Sequence, residues 1–221
     1  MDLEEAIKNR HSVRIYKTDR IDDDVAAELQ KEIDAINQES GLCISLVRDE
    51  PKTFNGLLFK TVVKFKNAVN YFSVSGPVSE DLEEKCGYYG ERLVLFAQMI
   101  GLNTCWALMA SKKEASKGLP DGYRNVISIS VGYGENQGVP HKNKPIEDVA
   151  DLKDAPDWFV KGVECAMTAP TGMNKQGFKF ERDGNNIRMI TGNSTLAKID
   201  RGIVKYHFEL GAGKDNFSWI E

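Results

Sequence analysis

The chain has 221 residues, 41% of them hydrophobic and 28% charged, with 29 Lys and Arg against 33 Asp and Glu for a formal net charge of -4. This balance fits a globular protein of one large or two small domains and excludes a disordered or fibrous chain. The acidic excess argues against a nucleic-acid partner, which would call for a basic stripe. No uncharged apolar run is long enough to span a membrane. The acidic start Met1-Asp2-Leu3-Glu4-Glu5 lacks the basic and apolar regions of a signal peptide, so a cytoplasmic protein is expected. The four cysteines, Cys43, Cys86, Cys105 and Cys165, form no C-x-x-C pair and read as small buried apolar residues. The three histidines have no ligand-like spacing, so no metal site is expected.

In chain order, Asp2 and Glu5 form a capping-box pattern, and Leu3, Ala6 and Ile7 share one face of a short helix ending in Lys8-Asn9-Arg10-His11. Ser12 to Tyr16 alternates like an extended strand. Val25, Leu29 and Ile33 predict a helix over 22–39, closed by Gly41, and Leu42 to Val47 reads as a buried strand. Ala68 to Ser75 is a further strand. The strongest helix pattern covers 80–100, with Tyr89, Leu93, Phe96, Ala97 and Ile100 on one stripe, and Gly101 stops it. Residues 104–108 and 126–131 are strands. Residues 132–156, rich in Gly and Pro, form a join between two halves, 1–150 and 151–221. The second half reads as a helix from Trp158 to Met167, a turn at Pro170-Thr171-Gly172, and strands over 177–181 and 186–190 joined at Asp183-Gly184-Asn185. A helix over 196–211 and a tail with Trp219 follow. Helix, glycine and Trp-bearing strand thus occur twice, ending at Trp106 and at Trp219, a pattern that two amphipathic helices also produce by chance. Residues 50–66 and 111–120 carry no readable chemistry.

One constellation carries candidate chemistry. In an extended Arg10-His11-Ser12-Val13-Arg14, the side chains of Arg10, Ser12 and Arg14 point to one side. Two guanidinium forks and a hydroxyl suit a phosphomonoester. Basic residues also favour helix C-termini for reasons of the macrodipole alone. Elsewhere, Gly132-Tyr133-Gly134 to Gly138 has its third glycine one residue late for a dinucleotide fingerprint and no helix behind it, so it reads as a solvent-facing turn. Glu83-Glu84-Lys85 reads as a solvated helix face, and His207 as a packed or capping residue.

Arg10-His11-Ser12-Val13-Arg14 resembles the R-R-S-V-R signature of the FMN-dependent nitroreductase family, with His11 in place of Arg and pointing away from the phosphate. Gly101-Leu102-Asn103-Thr104-Cys105-Trp106 is similar to the family's G-L-G-T-C-W stretch, with Asn103 for Gly. Leu119-Pro120 and the strand ending Gly132-Tyr133-Gly134 resemble its L-P…G-Y-P segment. His141-Lys142-Asn143-Lys144-Pro145-Ile146-Glu147-Asp148-Val149 is similar to its K-x-R-K-P-L-E-E-V motif. The family's A-P-S-x-x-N-x-Q-P-W-x-F motif is missing near residue 40. Its likeness is Ala169-Pro170-Thr171-Gly172-Met173-Asn174-Lys175-Gln176-Gly177-Phe178-Lys179-Phe180, and Asp200-Arg201-Gly202-Ile203 looks like the family's D-x-G-I helix start.

The resemblance implies an α+β, nitroreductase-like fold: a central, mostly antiparallel sheet flanked by helices, with two related halves forming an internal pseudo-dimer around a shared layer of strands. It implies FMN as cofactor, with its phosphate on Arg10, Ser12, Arg14 and Lys142 or Lys144, and with Arg14 also able to face the ring's N1–C2=O edge. Pro170, Thr171, Gly172 and Asn174 would form the turn over the ring. Backbone at Leu108 and Met109 would sit near N5. NAD(P)H would reduce the flavin, and a nitroaromatic, quinone or free flavin would oxidise it in ping-pong turnover. A monomer would suffice, with a homodimer open. Two other functions stay open: an FMN-sequestering protein in which Met173 and Asn103 narrow the pocket, and a flavin-free relic.

Overall fold

The computed structural model describes residues 1–54, 56, 63–108, 110 and 112–220. The chain packs as two compact units, one of Met1–Leu82 with Arg92–Pro140, the other of Glu83–Glu91 with His141–Glu221. No helix among the described residues is long and apolar enough to cross a membrane.

In the first unit, helix α1 (Leu3–Asn9) begins on the expected capping box, with Glu5 N–H donating to Asp2 Oδ1 at 2.9 Å and Asp2 N–H to Glu5 Oε2 at 3.3 Å. Helix α2 (Asp23–Ser40) buries Leu29, Ile33 and Ile36 and ends on Gly41 at φ 71°. That left-handed cap favours glycine because it has no Cβ. Four strands follow: β1 (Ser45–Val47), β2 (Tyr71–Pro77), β3 (Asn103–Ala107) and β4 (Tyr123–Gly132). They form one antiparallel sheet in the order β1-β2-β4-β3. Helix α3 (Leu82–Met99) lies between β2 and β3, and the short α4 (Lys112–Ala115) between β3 and β4. Side chains alternate across the sheet: Phe72, Val74, Ile127 and Ile129 share one face, Ser73, Ser128 and Ser130 the other.

Two predicted strands differ from the structure. Leu42 to Val47 forms a regular strand only from Ser45; before it, Cys43 N–H donates to Ser75 O at 2.8 Å, and the Asn37 amide bonds both backbone groups of Ile44, at 2.8 and 2.9 Å. Ser12 to Tyr16 is extended but forms no ladder. It changes partner within a few residues, bridging Thr104, then Lys66, then Gly134.

The second unit contains α5 (Asp157–Ala166), β5 (Phe178–Asp183), β6 (Asn186–Thr191), α6 (Thr195–Ala212) and β7 (Ser218–Ile220). Its strands form a separate sheet ordered β5-β6-β7, antiparallel between the first two and parallel between the last two. Among the described residues the strands therefore form two sheets and not one shared layer. Both Trp-bearing strands exist, but β3 joins its neighbour antiparallel and β7 joins its neighbour parallel. An aromatic cluster of Phe159, Phe180, Phe208, Phe217 and Trp219 fills the core, with Phe180 and Phe208 centroids 4.7 Å apart.

Helix α6 makes two close crossings. A Cβ on Gly202 would lie 1.9 Å from Glu84 O, and one on Gly87 would lie 2.0 Å from Ile199 O. On its other side, a Cβ on Gly211 would lie 2.3 Å from Lys161 O of α5. The crossing explains why Glu83-Glu84-Lys85 is not the solvated face expected. Glu83 is buried, and Glu84 is paired with Lys205 at 2.5 Å and Arg201 at 3.4 Å.

Each of these glycine contacts meets backbone, which cannot rotate aside. Gly202→Ala is expected to destabilise the fold by about 3 kcal/mol, at the upper end of overpacking costs. Alanine at Gly184, a turn residue with open space around it, serves as a control for substitution at a surface turn, where strain at φ 59° is the only cost. Urea midpoints of the two variants test the difference.

Candidate functional site

In the first unit, Arg10 caps α1 in extended geometry, at φ -70° and ψ 111°, and is only 4% exposed. Ser12 is half-buried and Arg14 exposed, so the three side chains grade from core to surface. The segment is pinned by Val13 N–H to Thr104 O and Lys66 N–H to Arg14 O, both 3.0 Å. Cys105 on β3 is the buried neighbour that Ser12 hydrogen-bonds. Burial pushes its thiol pKa up, while Arg14, a hydrogen bond with Ser12, and Arg10 all pull it down.

His11 has its Cβ against the turn that follows β4, where a Cβ on Gly138 would lie 2.7 Å away. The turn itself spends its N–H groups internally. Gly134 N–H donates to Asn103 Oδ1 at 3.1 Å, Glu135 N–H to Ile15 O at 2.9 Å and Gly138 N–H to Asn136 Oδ1 at 2.9 Å. These three N–H groups are therefore not free to cradle a phosphate. Glu135, Asn136 and Gln137 face solvent, but Gly134 is buried. Asn103, 2% exposed, also donates from Nδ2 to Gln137 Oε1 at 2.9 Å. Its side chain is a brace for this turn, which corrects the expectation that it narrows a pocket. Leu108 is half-buried just after β3, and Met109 lies outside the described residues.

In the second unit, Pro170 and Thr171 lead into a single 3-10 turn, Gly172–Asn174. Met173 and Asn174 have φ 53° and 52°, and Gln176 has φ 45°. Left-handed geometry at a non-glycine residue costs roughly 1–2 kcal/mol, so the turn needs outside support. Gln176 supplies much of it. Its N–H donates to Thr171 Oγ1 at 3.0 Å, its Oε1 accepts from Lys144 N–H at 2.8 Å, and its Nε2 donates to Lys142 O and Asn174 Oδ1, both at 3.0 Å. Lys144 Nζ donates to Gln176 O at 3.1 Å, and Asn174 Nδ2 to Lys142 O at 2.8 Å. The two motifs around 142–144 and 170–176, distant in sequence, are thus zipped together. Gln176 stood in the sequence as the glutamine of the motif likeness, without an assigned role; its burial and bonds supply one. Met173 is 77% exposed, so it lies on the outside of the turn.

The other support is α6. Gly172 N–H points between both oxygens of Asp200, at 3.0 and 3.1 Å. Burial raises the Asp200 pKa to about 6, against the opposing pull of Gly172 N–H and Lys175. Further along α6, His207 is fully buried with Glu91, its Nε2 2.9 Å from Glu91 Oε1. Thr168 gives its one hydroxyl proton to Cys165 O at 2.7 Å, so at 3.0 Å it accepts from His207 Nδ1–H. One shared proton then lies between Nε2 and the Glu91 carboxylate, and the pair is neutral overall whichever atom holds it. The histidine is structural, as its helix pattern suggests.

The chain matches a family model described as "Putative TM nitroreductase" over residues 2–212. Among solved structures it is similar to a "putative nitroreductase" from Thermotoga maritima, at 24% identity and TM-score 0.64, covering 96% of this chain and 83% of that one. A "Nitroreductase Family Protein" from Streptococcus pneumoniae matches at 14% identity and TM-score 0.53, covering 68% and 99%. A "Putative NADH dehydrogenase/NAD(P)H nitroreductase" from Parabacteroides distasonis matches at 22% identity and TM-score 0.51, covering 66% and 95%. These likenesses show the nitroreductase-like fold. Comparison with curated proteins gives no match.

Asn103→Gly removes the acceptor of the buried Gly134 N–H and is expected to cost about 1–3 kcal/mol. Hydrogen exchange of the Gly134 amide, followed by NMR, is expected to speed up in the same variant, because this N–H loses its acceptor. An unchanged Gly134 exchange rate would show that the brace does not act through this hydrogen bond.

Proposed function

We propose that this chain, which belongs to the Putative TM nitroreductase family, is an FMN-dependent oxidoreductase that takes electrons from NAD(P)H and gives them to a nitroaromatic, a quinone or a free flavin. The observation that carries the reading is the short segment Arg10 to Arg14, which leaves α1 in extended geometry at the buried Arg10 and is pinned at Val13 and Arg14. Two guanidinium groups and a hydroxyl on alternate residues of such a segment fit a phosphomonoester, a dianion near neutral pH. The low exposure of Arg10 strengthens its pull on an anion, because little solvent screens it.

The remaining residues fit the same cofactor. Lys142 is exposed, and Lys144 keeps two ammonium protons beyond its bond to Gln176 O, so either is a candidate for the phosphate. Asn174 uses one amide proton on Lys142 O and one Oδ1 lone pair for Gln176. A donor and an acceptor therefore remain for the flavin's pyrimidine edge. FMN, when bound, supplies the electron-transfer chemistry. The residues bind it, orient it and bias its charge. The nicotinamide named for the Parabacteroides distasonis structure supports NAD(P)H as the donor. Residues 1–150 would form the half with the phosphate clamp and 151–221 the half with the ring turn. With one clamp and one turn per chain, the expected stoichiometry is one FMN per chain.

The test is the visible spectrum after incubation with FMN and desalting, then anaerobic bleaching with NADH or NADPH. Arg10→Ala combined with Arg14→Ala is expected to weaken FMN binding by at least about a hundredfold, since a hydrogen bond to a charged group is worth roughly 1.5–3 kcal/mol. Affinity for riboflavin, which lacks the phosphate, should change far less. Unchanged FMN affinity in the double variant would overturn the clamp.

A further inference from the structure

The turn from Pro170 to Asn174 is held to α6 at a single backbone donor, Gly172 N–H, and the acceptor is a carboxylate. Gly172 is seated so closely that a Cβ there would lie 2.3 Å from Leu196 Cδ2. The next two residues are left-handed, so nothing in their own preferences keeps the turn closed. Asp200 and His207 are seven positions apart on α6, hence on one face of the helix. His207 holds Thr168 and Asp200 holds Gly172, so α6 carries both ends of the Thr168–Gly172 segment. The His207 end is locked against Glu91 in the core. The Asp200 end is half-buried and within reach of solvent protons.

We propose that Asp200 is a positioning residue whose ionised carboxylate fixes the Gly172 turn, so that proton uptake by this one side chain loosens the turn and weakens flavin binding. The flavin half of this inference rests on the function proposed above; the anchor itself does not. An ionised carboxylate accepts from an amide more strongly than a neutral acid does. The raised pKa puts the change close to neutral pH. Among the charged groups on the packed elements, Lys175 of the turn acts on Asp200, Glu84 of α3 is taken up by Arg201 and Lys205, and Glu91 is taken up by His207.

Stability runs in the opposite direction. An acid whose folded pKa is raised holds a proton in the folded state that the unfolded chain has released, between the ordinary value of 3.8 and about 6. Its contribution to stability therefore rises as pH falls through that window, while the turn loosens. Asp200→Asn, which keeps an amide oxygen for Gly172 but cannot ionise, should be more stable than wild type at pH 8, with the difference shrinking toward pH 4.

The test follows the Gly172 amide of the wild-type chain by NMR from pH 4.5 to pH 8, without flavin. A titration of its shift and exchange protection with one midpoint near 6, absent in Asp200→Asn, is expected. A Gly172 amide insensitive to pH would overturn the anchor. FMN affinity is then compared between wild type and Asp200→Asn. The phosphate of FMN titrates in the same window, so the readout is the ratio of the two affinities. The ratio is expected to be about tenfold in favour of wild type at pH 7.5 and about one at pH 4.5. A ratio of one throughout, with the amide titrating, would overturn the link to flavin. No FMN binding by wild type at any pH would overturn the proposed function and the flavin half together, and the Gly172 titration would still decide the anchor.

Discussion

The second unit depends on how closely α6 can approach its neighbours. Gly202 and Gly87 let two helix backbones touch, and Gly211 does the same toward α5. At such distances a methyl group has no room, so the helix axis is fixed by backbone and not by adaptable side chains. Everything polar on α6 inherits that position. His207 reaches Glu91 across the first crossing, Lys205 and Arg201 reach Glu84, and Asp200 reaches Gly172. A helix set by larger side chains would stand farther off, and hydrogen bonds of 3.0 Å would be lost together. The glycines are thus the condition for the anchored turn.

The first unit solves a different problem, the burial of a cation. Removing a guanidinium from water is costly unless it is compensated. The chain places Arg10 at the end of α1, where the helix dipole favours positive charge. It then leads Ser12 and Arg14 outward along an extended segment that never settles into one ladder. A regular strand would bond to one neighbour along its length. By changing among Thr104, Lys66 and Gly134, the segment ties β3, the stretch before β2 and the turn after β4 to the same few residues. The extended segment is held from three sides.

Much of this was legible in the sequence, and the parts that were not share a cause. Periodicity marks which face of a helix is apolar, so α2, α3, α5 and α6 were readable to within a few residues. The sheet strands β2, β3 and β4 were readable as apolar runs. Periodicity does not say which polar residue bonds to which. Asn37 bonds both backbone groups of Ile44, and Gln176 ties together segments more than thirty residues apart. Glu83 read as solvated because its charge was visible and the glycine crossing beneath it was not. Asp200 stood in a motif, but only its distance from Gly172 assigns it a partner. The triplet of Arg10, Ser12 and Arg14 was legible because adjacent residues of an extended chain alternate sides whatever the tertiary structure.

Three departures from the family's sequence pattern find one explanation at the turn after β4. The pattern has Gly where this chain has Asn103, and Pro where it has Gly134. Proline brings no N–H, and a glycine at the facing position offers no acceptor, so the pair is polar-neutral. Here Gly134 brings a buried N–H and Asn103 brings the oxygen that accepts it. Neither change stands well alone. A Cβ on residue 134 would lie 2.7 Å from Asn103 Oδ1, and an unaccepted buried N–H carries a desolvation cost. The third departure, His11 for Arg, lies against Gly138 at the far end of the same turn, where a Cβ on the glycine would lie 2.7 Å from the His11 Cβ. The turn can close on the segment because residue 138 has no side chain, and its φ of 73° is one that glycine accepts without strain. Arg10, Ser12 and Arg14, on the other side of that segment, keep the family's identities. These three changes lie on the side of the chain that faces the turn, opposite to Arg10, Ser12 and Arg14, so one turn accommodates them together.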